Sequence, residues 1–389
     1  MISRVKIFLS EAGSEVTTMV SAVRTADGVR RVHPYTKIFK AHAKRRWLGR
    51  RVAEVMASEF AANAKPGYLQ RAMADGRILL NSKPCAPSAV FRDGDVIEHR
   101  MTRNEPAVRA PLASEWILLL TNELLIIDKP ATVPVHAAGR FHHNTVVAIL
   151  ADECDALRPA GVAGLFVMHR LDRETSGLLM LGRSASTASR IGALFRDGHI
   201  RKRYVALVDG DFPPGVHVVD APLQREVRAG AGTNAVHPDG KPAVTEFVRL
   251  SSDAAARTSL VLCSPRTGRT HQIRLHLQWM GHPIANDALY GGSRAPMGSH
   301  NLLFVRDDAP SAERDRQDAD EGDGEAGDEA TAAADLESAM IFLHAVDYRH
   351  DGGVEGAWHY CAPLPPWAVH LTDGDIGGGY TSPSARAKP

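Results

Sequence analysis

Between Leu165 and Leu181 an apolar stretch runs into a polar loop and a second apolar stretch leaves it. The loop reads His169-Arg170-Leu171-Asp172-Arg173-Glu174-Thr175-Ser176-Gly177. Asp172 falls at a strand end, where a rigid scaffold presents reactive groups. Arginines on both sides, Arg170 and Arg173, favour the ionised carboxylate, and an ionised carboxylate can act as a nucleophile. The plain alternative is a surface salt-bridge cluster in a hairpin, and the loop alone does not separate the two.

Two further groupings add chemistry. Arg266-Thr267-Gly268-Arg269-Thr270-His271-Gln272-Ile273-Arg274-Leu275-His276 opens a helix that puts His271 and Arg274 on neighbouring faces. Gly281-His282-Pro283-Ile284 ends that helix, and Asp287 with Tyr290-Gly291 follows in a turn. Alone, such a helix is more often a solvated or RNA-facing surface than a catalytic one. The third grouping, Lys202-Arg203-Tyr204-Val205-Ala206, sets an aromatic ring at the start of an apolar strand. A metal-dependent hydrolase is disfavoured: His142 and His143 are adjacent and point apart, and no HxxxH or HExxH spacing occurs. His136, His142 and His143 read as surface or RNA-facing residues.

The chain that must position these groups has 389 residues, 44% hydrophobic and 23% charged, enough for a full core and two domains. No apolar run approaches the roughly 20 residues of a membrane span; the longest, Trp116–Leu120 and Leu124–Ile127, is broken by Asn122 and Glu123. No secretory leader is visible, and Glu11, Glu15 and Asp27 argue against a mitochondrial transit peptide among the weakly basic first residues. Cys85, Cys154, Cys263 and Cys361 form no CxxC pair, which fits neither a disulfide framework nor a zinc site and suits a reducing compartment.

The net charge of +1 hides an asymmetry. Residues 307–337 hold thirteen acids against Arg314 and Arg316, a local charge of −11, which leaves the remainder at +12. A basic body suits a polyanionic partner through counterion release; solvated surface charge is the plain alternative. Arg30 to Arg51 carries nine Lys or Arg and no acid, with Tyr35, Phe39 and Trp47 interleaved. Cations hold phosphate and rings stack on bases. The competing reading is an exposed basic helix with a few core anchors.

Residues 1–33 lack a clear period and read as a tail. Val52, Val55, Met56 and Phe60 recur at helical spacing, and a second short helix starts near Pro66. Arg77–Asn81 and Asp95–Arg100 read as strands, with turns at Asn81-Ser82 and Asp93-Gly94. Asn104 to Pro111, with two prolines, reads as a linker. From Trp116 to about Val369, short apolar runs separated by turns outnumber two helices, near Ser186–Arg196 and Thr270–Met280. This predicts an α+β domain around a mainly antiparallel mixed sheet. The acidic segment 307–337 reads as a disordered insertion just before a final strand, Met340–Val346, and 371–389 as a second tail.

These motifs, in this order, resemble the RluA-type pseudouridine synthase family, from about Tyr35 to Trp367 without the acidic segment. The carriers are His169-Arg170-Leu171-Asp172 with Thr175-Ser176-Gly177-Leu178-Leu179, Gly268 to Arg274 with Gly281-His282-Pro283-Ile284, and Lys202 to Ala206. The resemblance implies an isomerase that detaches uracil within RNA, turns it, and rejoins carbon 5 to the ribose, with neither cofactor nor metal. It assigns Asp172 as the essential carboxylate, Tyr204 as the ring against the uracil, and Arg274 as the cation paired with the aspartate. Arg170 would fill the space left by the extruded nucleotide, and His271 and Gln272 would organise the site. Extrusion costs a few kcal/mol, which the ring and the plug would offset. Attack on the anomeric carbon and abstraction of a ribose proton remain open alternatives.

Residues 34–104 resemble the small S-four-like RNA-binding domain, through Gly49-Arg50-Arg51-Val52, Gly76 to Asn81, and Gly94-Asp95-Val96-Ile97, ahead of a catalytic domain at 112–370. Arg50, Arg51 and Arg71 are its RNA-contact candidates. The N-terminal pattern is closer to eukaryotic members that modify the tRNA anticodon stem-loop, which places tRNA ahead of rRNA or mRNA. The expectation is a monomer without a membrane partner, in cytoplasm or nucleus, with the mitochondrion left open.

Overall fold

The computed structural model describes residues 20–25, 28–60, 67–154, 157, 164–228, 231–293, 336, 339–353 and 356–369. The first nineteen residues, the acidic segment apart from residue 336, and the tail 371–389 lie outside them. The described chain divides into two units, one of residues 20–23 and Arg31–Pro106, the other of 24–30 and everything from 107 onward.

The region read as a tail contains strands β1 (Ala22–Arg24) and β2 (Val29–Val32). Val29 and Val32 are buried, so this segment carries its own apolar anchors. The stretch with the arginines holds a strand, β3 (Tyr35–His42), rather than an exposed helix, as its Tyr, Thr, Ile and Phe favour. Helices α1 (Val52–Glu59) and α2 (Tyr68–Ala74) follow, then β4 (Ile78–Leu80), β5 (Lys83–Pro84) and β6 (Val96–Arg103). The sheet order is β3-β6-β4-β5. Asn81 and Ser82 both take left-handed backbone, φ 53 and 62, the pair that a two-residue hairpin turn requires. Val52, Val55, Met56, Tyr68 and Met73 bury against Trp47, Ile78, Phe91 and Ile97.

The predicted linker is also structured: β7 (Val108–Arg109) pairs with Val29 and Arg30 of β2, and Val108 and Ala110 are fully buried. Strands β8 (Ile117–Leu120) and β9 (Leu124–Lys129), helix α3 (Val146–Glu153), β10 (Phe166–Val167), β11 (Ser176–Gly182), helix α4 (Ala185–Arg196) and β12 (Arg201–Asp209) come next. Then follow β13 (Val216–Asp220), a hairpin of β14 (Leu223–Arg228) and β15 (Ala231–Val236), β16 (Val244–Asp253), β17 (Thr258–Pro265) and helix α5 (Gln272–Trp279). The last elements are β18 (Leu343–Asp351), β19 (Ala357–Cys361) and a short α6 (Pro366–Val369). The expected final strand is thus followed by another, whose mixed exposure hid it.

The main sheet runs β13-β16-β17-β12-β18-β11-β9-β8, with β10 on β11 and β19 on β18. The fold is α+β with a mostly antiparallel sheet; β11 and β18 pair in parallel, Ser176 opposite His344. Gly177 is needed at that crossing. Its φ is +106, and a Cβ there would stand 2.3 Å from the Ala345 carbonyl oxygen. Ser184 caps α4 by accepting from the Thr187 amide. Ile149, Leu150, Ile191, Ile273 and Leu277 from α3, α4 and α5 pack into one core with Leu178–Leu181, Val208 and Val261.

Candidate active site

Strand β11 begins where the loop carrying Asp172 ends, and the chain is pinned there at consecutive residues. The Thr175 amide donates to the Asp172 carbonyl, closing a turn. Ser176 Oγ lies 2.8 Å from His344 Nδ1, whose Nε2 reaches the Pro363 carbonyl at 3.0 Å. From below the loop, Lys129 Nζ donates to the carbonyls of Pro130, Val133 and Arg173 at 2.8, 2.9 and 3.2 Å. Lys129 is fully buried, and desolvation pushes its pKa down to about 7. His169 is half-buried and neutral, held down to about 3 by desolvation; its Nε2 accepts from the Met180 amide.

A cavity of about 620 Å³ opens at this loop, lined by Asp172, Arg170, Tyr204, Lys202, His271 and Arg274 among others. Asp172 Oδ2 stands 3.9 Å from Arg274 Nη1 and 3.9 Å from His271 Nε2. Neither is a hydrogen bond, so the carboxylate is flanked by cationic and titratable groups while its oxygens stay open. The flanking cations differ from those expected: Arg173 turns to Glu174, 2.9 Å away, and its guanidinium lies over Phe141.

Arg274 does not close its fork on Asp172. Nε and Nη2 donate to Asp287 at 2.6 and 2.8 Å, with both side chains almost completely buried. Despite desolvation, Asp287 with Glu174 and Asp172 pushes the guanidinium pKa above its ordinary value. Among the described residues Nη1 has no hydrogen-bond partner, and it lies 3.7 Å from Glu174 and 3.9 Å from Asp172. Tyr290 packs on the guanidinium, 4.9 Å from ring centre, and its hydroxyl lies 2.7 Å from His271 Nδ1. His271 has left-handed backbone at the head of α5, and desolvation lowers its pKa.

Gln272 ties this helix end to the neighbouring loop. Its carbonyl accepts from Thr267 Oγ1 and the Arg269 amide; its amide donates to the Val244 carbonyl and Thr245 Oγ1. Tyr204, on β12, is buried at 8% exposure, and desolvation pushes its phenol up to about 12. Arg170 is exposed at the cavity, as are Arg196, Arg266 and Arg269. Thus Asp172, Arg170, Tyr204, His271, Gln272 and Arg274 line one cavity. Arg50, Arg51 and Arg71 do not: they belong to the other unit, where Arg51 and Arg71 are exposed and Arg50 bonds Ser58. Sequence reasoning placed Asp287 in a turn and Glu174 in the loop without giving either a role, and passed over Lys129. The Asp128-Lys129-Pro130 run at the end of an apolar strand was the available signal for the lysine.

Comparison with known proteins places the chain in a family. The family model described as RNA pseudouridylate synthase matches residues 123–279. Pseudouridylate synthase RPUSD2 of Mus musculus is 40% identical over 269 residues, 68% of this chain and 46% of that protein. RNA pseudouridine synthase 7 of Arabidopsis thaliana is 34% identical over 369 residues, 88% of this chain and 87% of that protein. A mitochondrial tRNA pseudouridine(32) synthase of Saccharomyces cerevisiae is 35% identical over 268 residues, 67% and 55% of the two chains. The chain belongs to the RNA pseudouridylate synthase family. It spans about half the length of the mouse relative.

Proposed function

We propose that this chain isomerises uridine to pseudouridine within RNA, with Asp172 as the reacting carboxylate. The observation that carries the reading is an Asp172 open to a cavity of about 620 Å³, with Arg274 and His271 each 3.9 Å from one of its oxygens. A carboxylate so placed can attack a sugar carbon or take a ribose proton. The cavity admits a nucleotide extruded from its stack, Tyr204 offers a ring to the uracil, and Arg170 stands exposed to replace the missing base. The cations Arg196, Arg266 and Arg269 suit the flanking phosphates.

The substrate class we favour is tRNA, at the anticodon stem-loop, a reading supported by the name of the yeast relative. The N-terminal unit, with Arg50, Arg51 and Arg71 on its helices and loop, acts as an S-four-like RNA-binding module that strengthens this contact. The protein works as a monomer in cytoplasm or nucleus, with the mitochondrion as the alternative suggested by the yeast relative.

The test incubates purified protein with unmodified tRNA transcripts and maps pseudouridine by carbodiimide adducts and primer extension. The parent should modify a uridine of the stem-loop, and Asp172→Asn should bind the same RNA and modify nothing. Modification by Asp172→Asn at the parent rate refutes the carboxylate assignment. RNA bound tightly with every uridine intact would make this a binding factor.

A further inference from the structure

Strand β18 brings a second phenol behind the site. The register between β12 and β18 shifts at Arg203/Tyr204, with Lys202 opposite Tyr348 and Tyr204 opposite Ala345. Residues paired across strands share a face, and alternate residues along a strand do too, so Lys202, Tyr204 and Tyr348 lie on the cavity side. The Tyr204 and Tyr348 hydroxyls are 3.3 Å apart. Tyr348 is fully buried and does not line the cavity. Its ring is held edge-on by His169, with centroids 5.1 Å apart, and by Phe195 at 5.7 Å. His169 itself stacks on Phe195 at 4.1 Å and stands three residues before Asp172. Tyr348 therefore touches both the strand bearing Tyr204 and the loop bearing Asp172.

The direction of the phenol pair follows from surroundings. A buried hydroxyl needs a partner, and among the described residues the Tyr348 hydroxyl meets the Tyr204 oxygen. If Tyr204 donated instead, the Tyr348 proton would point into packed rings. Tyr204 borders the cavity, so its own proton has somewhere to go. We propose that Tyr348 is a positioning residue: its hydroxyl donates to the Tyr204 oxygen, fixes that ring, and leaves the Tyr204 O–H proton aimed at the cavity. The assignment rests on the proposed reaction for its role in turnover, while the hydrogen bond itself stands apart from it. Burial raises both phenols, Tyr348 well above its ordinary value, and the bond from Tyr348 counters part of the rise at Tyr204.

The test compares the parent with Tyr348→Phe, Tyr204→Phe and the double variant. Steady-state kcat and KM are read on an RNA substrate between about pH 6 and 9. The Tyr204 13Cζ resonance, which reports a hydrogen bond accepted by its oxygen, is read in labelled protein without turnover. Tyr348→Phe keeps the ring and its packing. It should lower kcat about tenfold, which is about 1.4 kcal/mol, with KM within about twofold, and should move the Tyr204 resonance. The double variant should be no slower than Tyr204→Phe, because the two act as one unit. An unmoved resonance, unchanged kcat, or additive losses would overturn the proposal. A parent that forms no pseudouridine refutes the reaction instead, and the resonance still decides the phenol pair.

Discussion

Removing Asp287 is expected to damage both stability and activity, and the two losses can be separated. Arg274 and Asp287 are 3% and 1% exposed and share two charge-assisted hydrogen bonds of 2.6 and 2.8 Å. Asp287→Ala leaves a guanidinium in a dry site without its carboxylate. Breaking one side of a buried pair costs about 3–5 kcal/mol, a large part of the ~5–15 kcal/mol that holds an ordinary protein folded. At about 2–4 °C per kcal/mol for a unit of this size, Tm should fall by roughly 6–20 °C. Below the new Tm, turnover should still be at least about tenfold down. Nη1, now 3.9 Å from Asp172, would swing in and occupy the carboxylate proposed to react. Arg274→Met with Asp287→Leu exchanges the pair for apolar groups of similar size, and should regain most of the stability and none of the activity. Melting curves followed by pseudouridine formation at a permissive temperature read both. A single Asp287→Ala variant that melts within about 3 °C of the parent, less than 1–2 kcal/mol, would show that Arg274 is not anchored in this way.

Lys129→Met removes a costly buried charge along with its three carbonyl contacts. Stability should change by less than about 2 kcal/mol, while kcat falls about tenfold because the Arg173 carbonyl loses its tether; an unchanged kcat refutes the tether. His169 and His344, held down to about 3 and about 4 by desolvation, are neutral when folded and protonate near pH 6.5 when unfolded. Their folded pKa values are depressed, so the unfolded chain binds the extra protons. Stability is full above about pH 6.5 and drops as pH falls towards 4, by up to about 1.4 kcal/mol per pH unit for each group. Denaturant midpoints that stay constant from pH 7 to 5 contradict this. Gly177→Ala places a Cβ 2.3 Å from the Ala345 carbonyl oxygen, in a backbone region side chains avoid. It should cost more than about 3 kcal/mol or yield insoluble protein, and a variant with the parent Tm would disprove the close crossing.

The sequence made the Asp172 loop and the α5 segment legible because their polar residues interrupt strong apolar patterns: Leu165–Met168 and Leu178–Leu181 frame Asp172, and the helix carries Ile273, Leu275 and Leu277 between its charges. The α+β class followed from the same alternation. Strands β1, β2 and β7 were hidden for the opposite reason. They are two to four residues long, shorter than any period can register, and they are defined by one another across about eighty residues. The partner of Arg274 was hidden too. Helical spacing can say that Arg274 lies near His271, but that its fork closes on Asp287, thirteen residues on, depends on how the chain turns after Gly281. Lys129, which no motif singled out, is a buried clasp on three carbonyls.

The separation between Arg274 and Asp172 has a chemical consequence. A bidentate arginine would occupy both oxygens of the carboxylate and would have to be displaced before either could react. Here Asp287 takes the fork, and Asp172 feels the remaining nitrogen and His271 only at 3.9 Å. The positive field acts on the carboxylate while its lone pairs remain available. That arrangement is useful only if the distance is kept, since a displacement of about 1 Å can cost on the order of a hundredfold in rate. The clasp of Lys129, at the end of β9, on Arg173 fixes the loop from one strand, and the Ser176–His344 contact with the glycine crossing at Ala345 fixes it from β18. The fork to Asp287 and the Gln272 bonds fix α5 from the other side. Two independently braced elements face each other across an unbonded gap, which is how a fold can hold a reactive carboxylate ready without neutralising it.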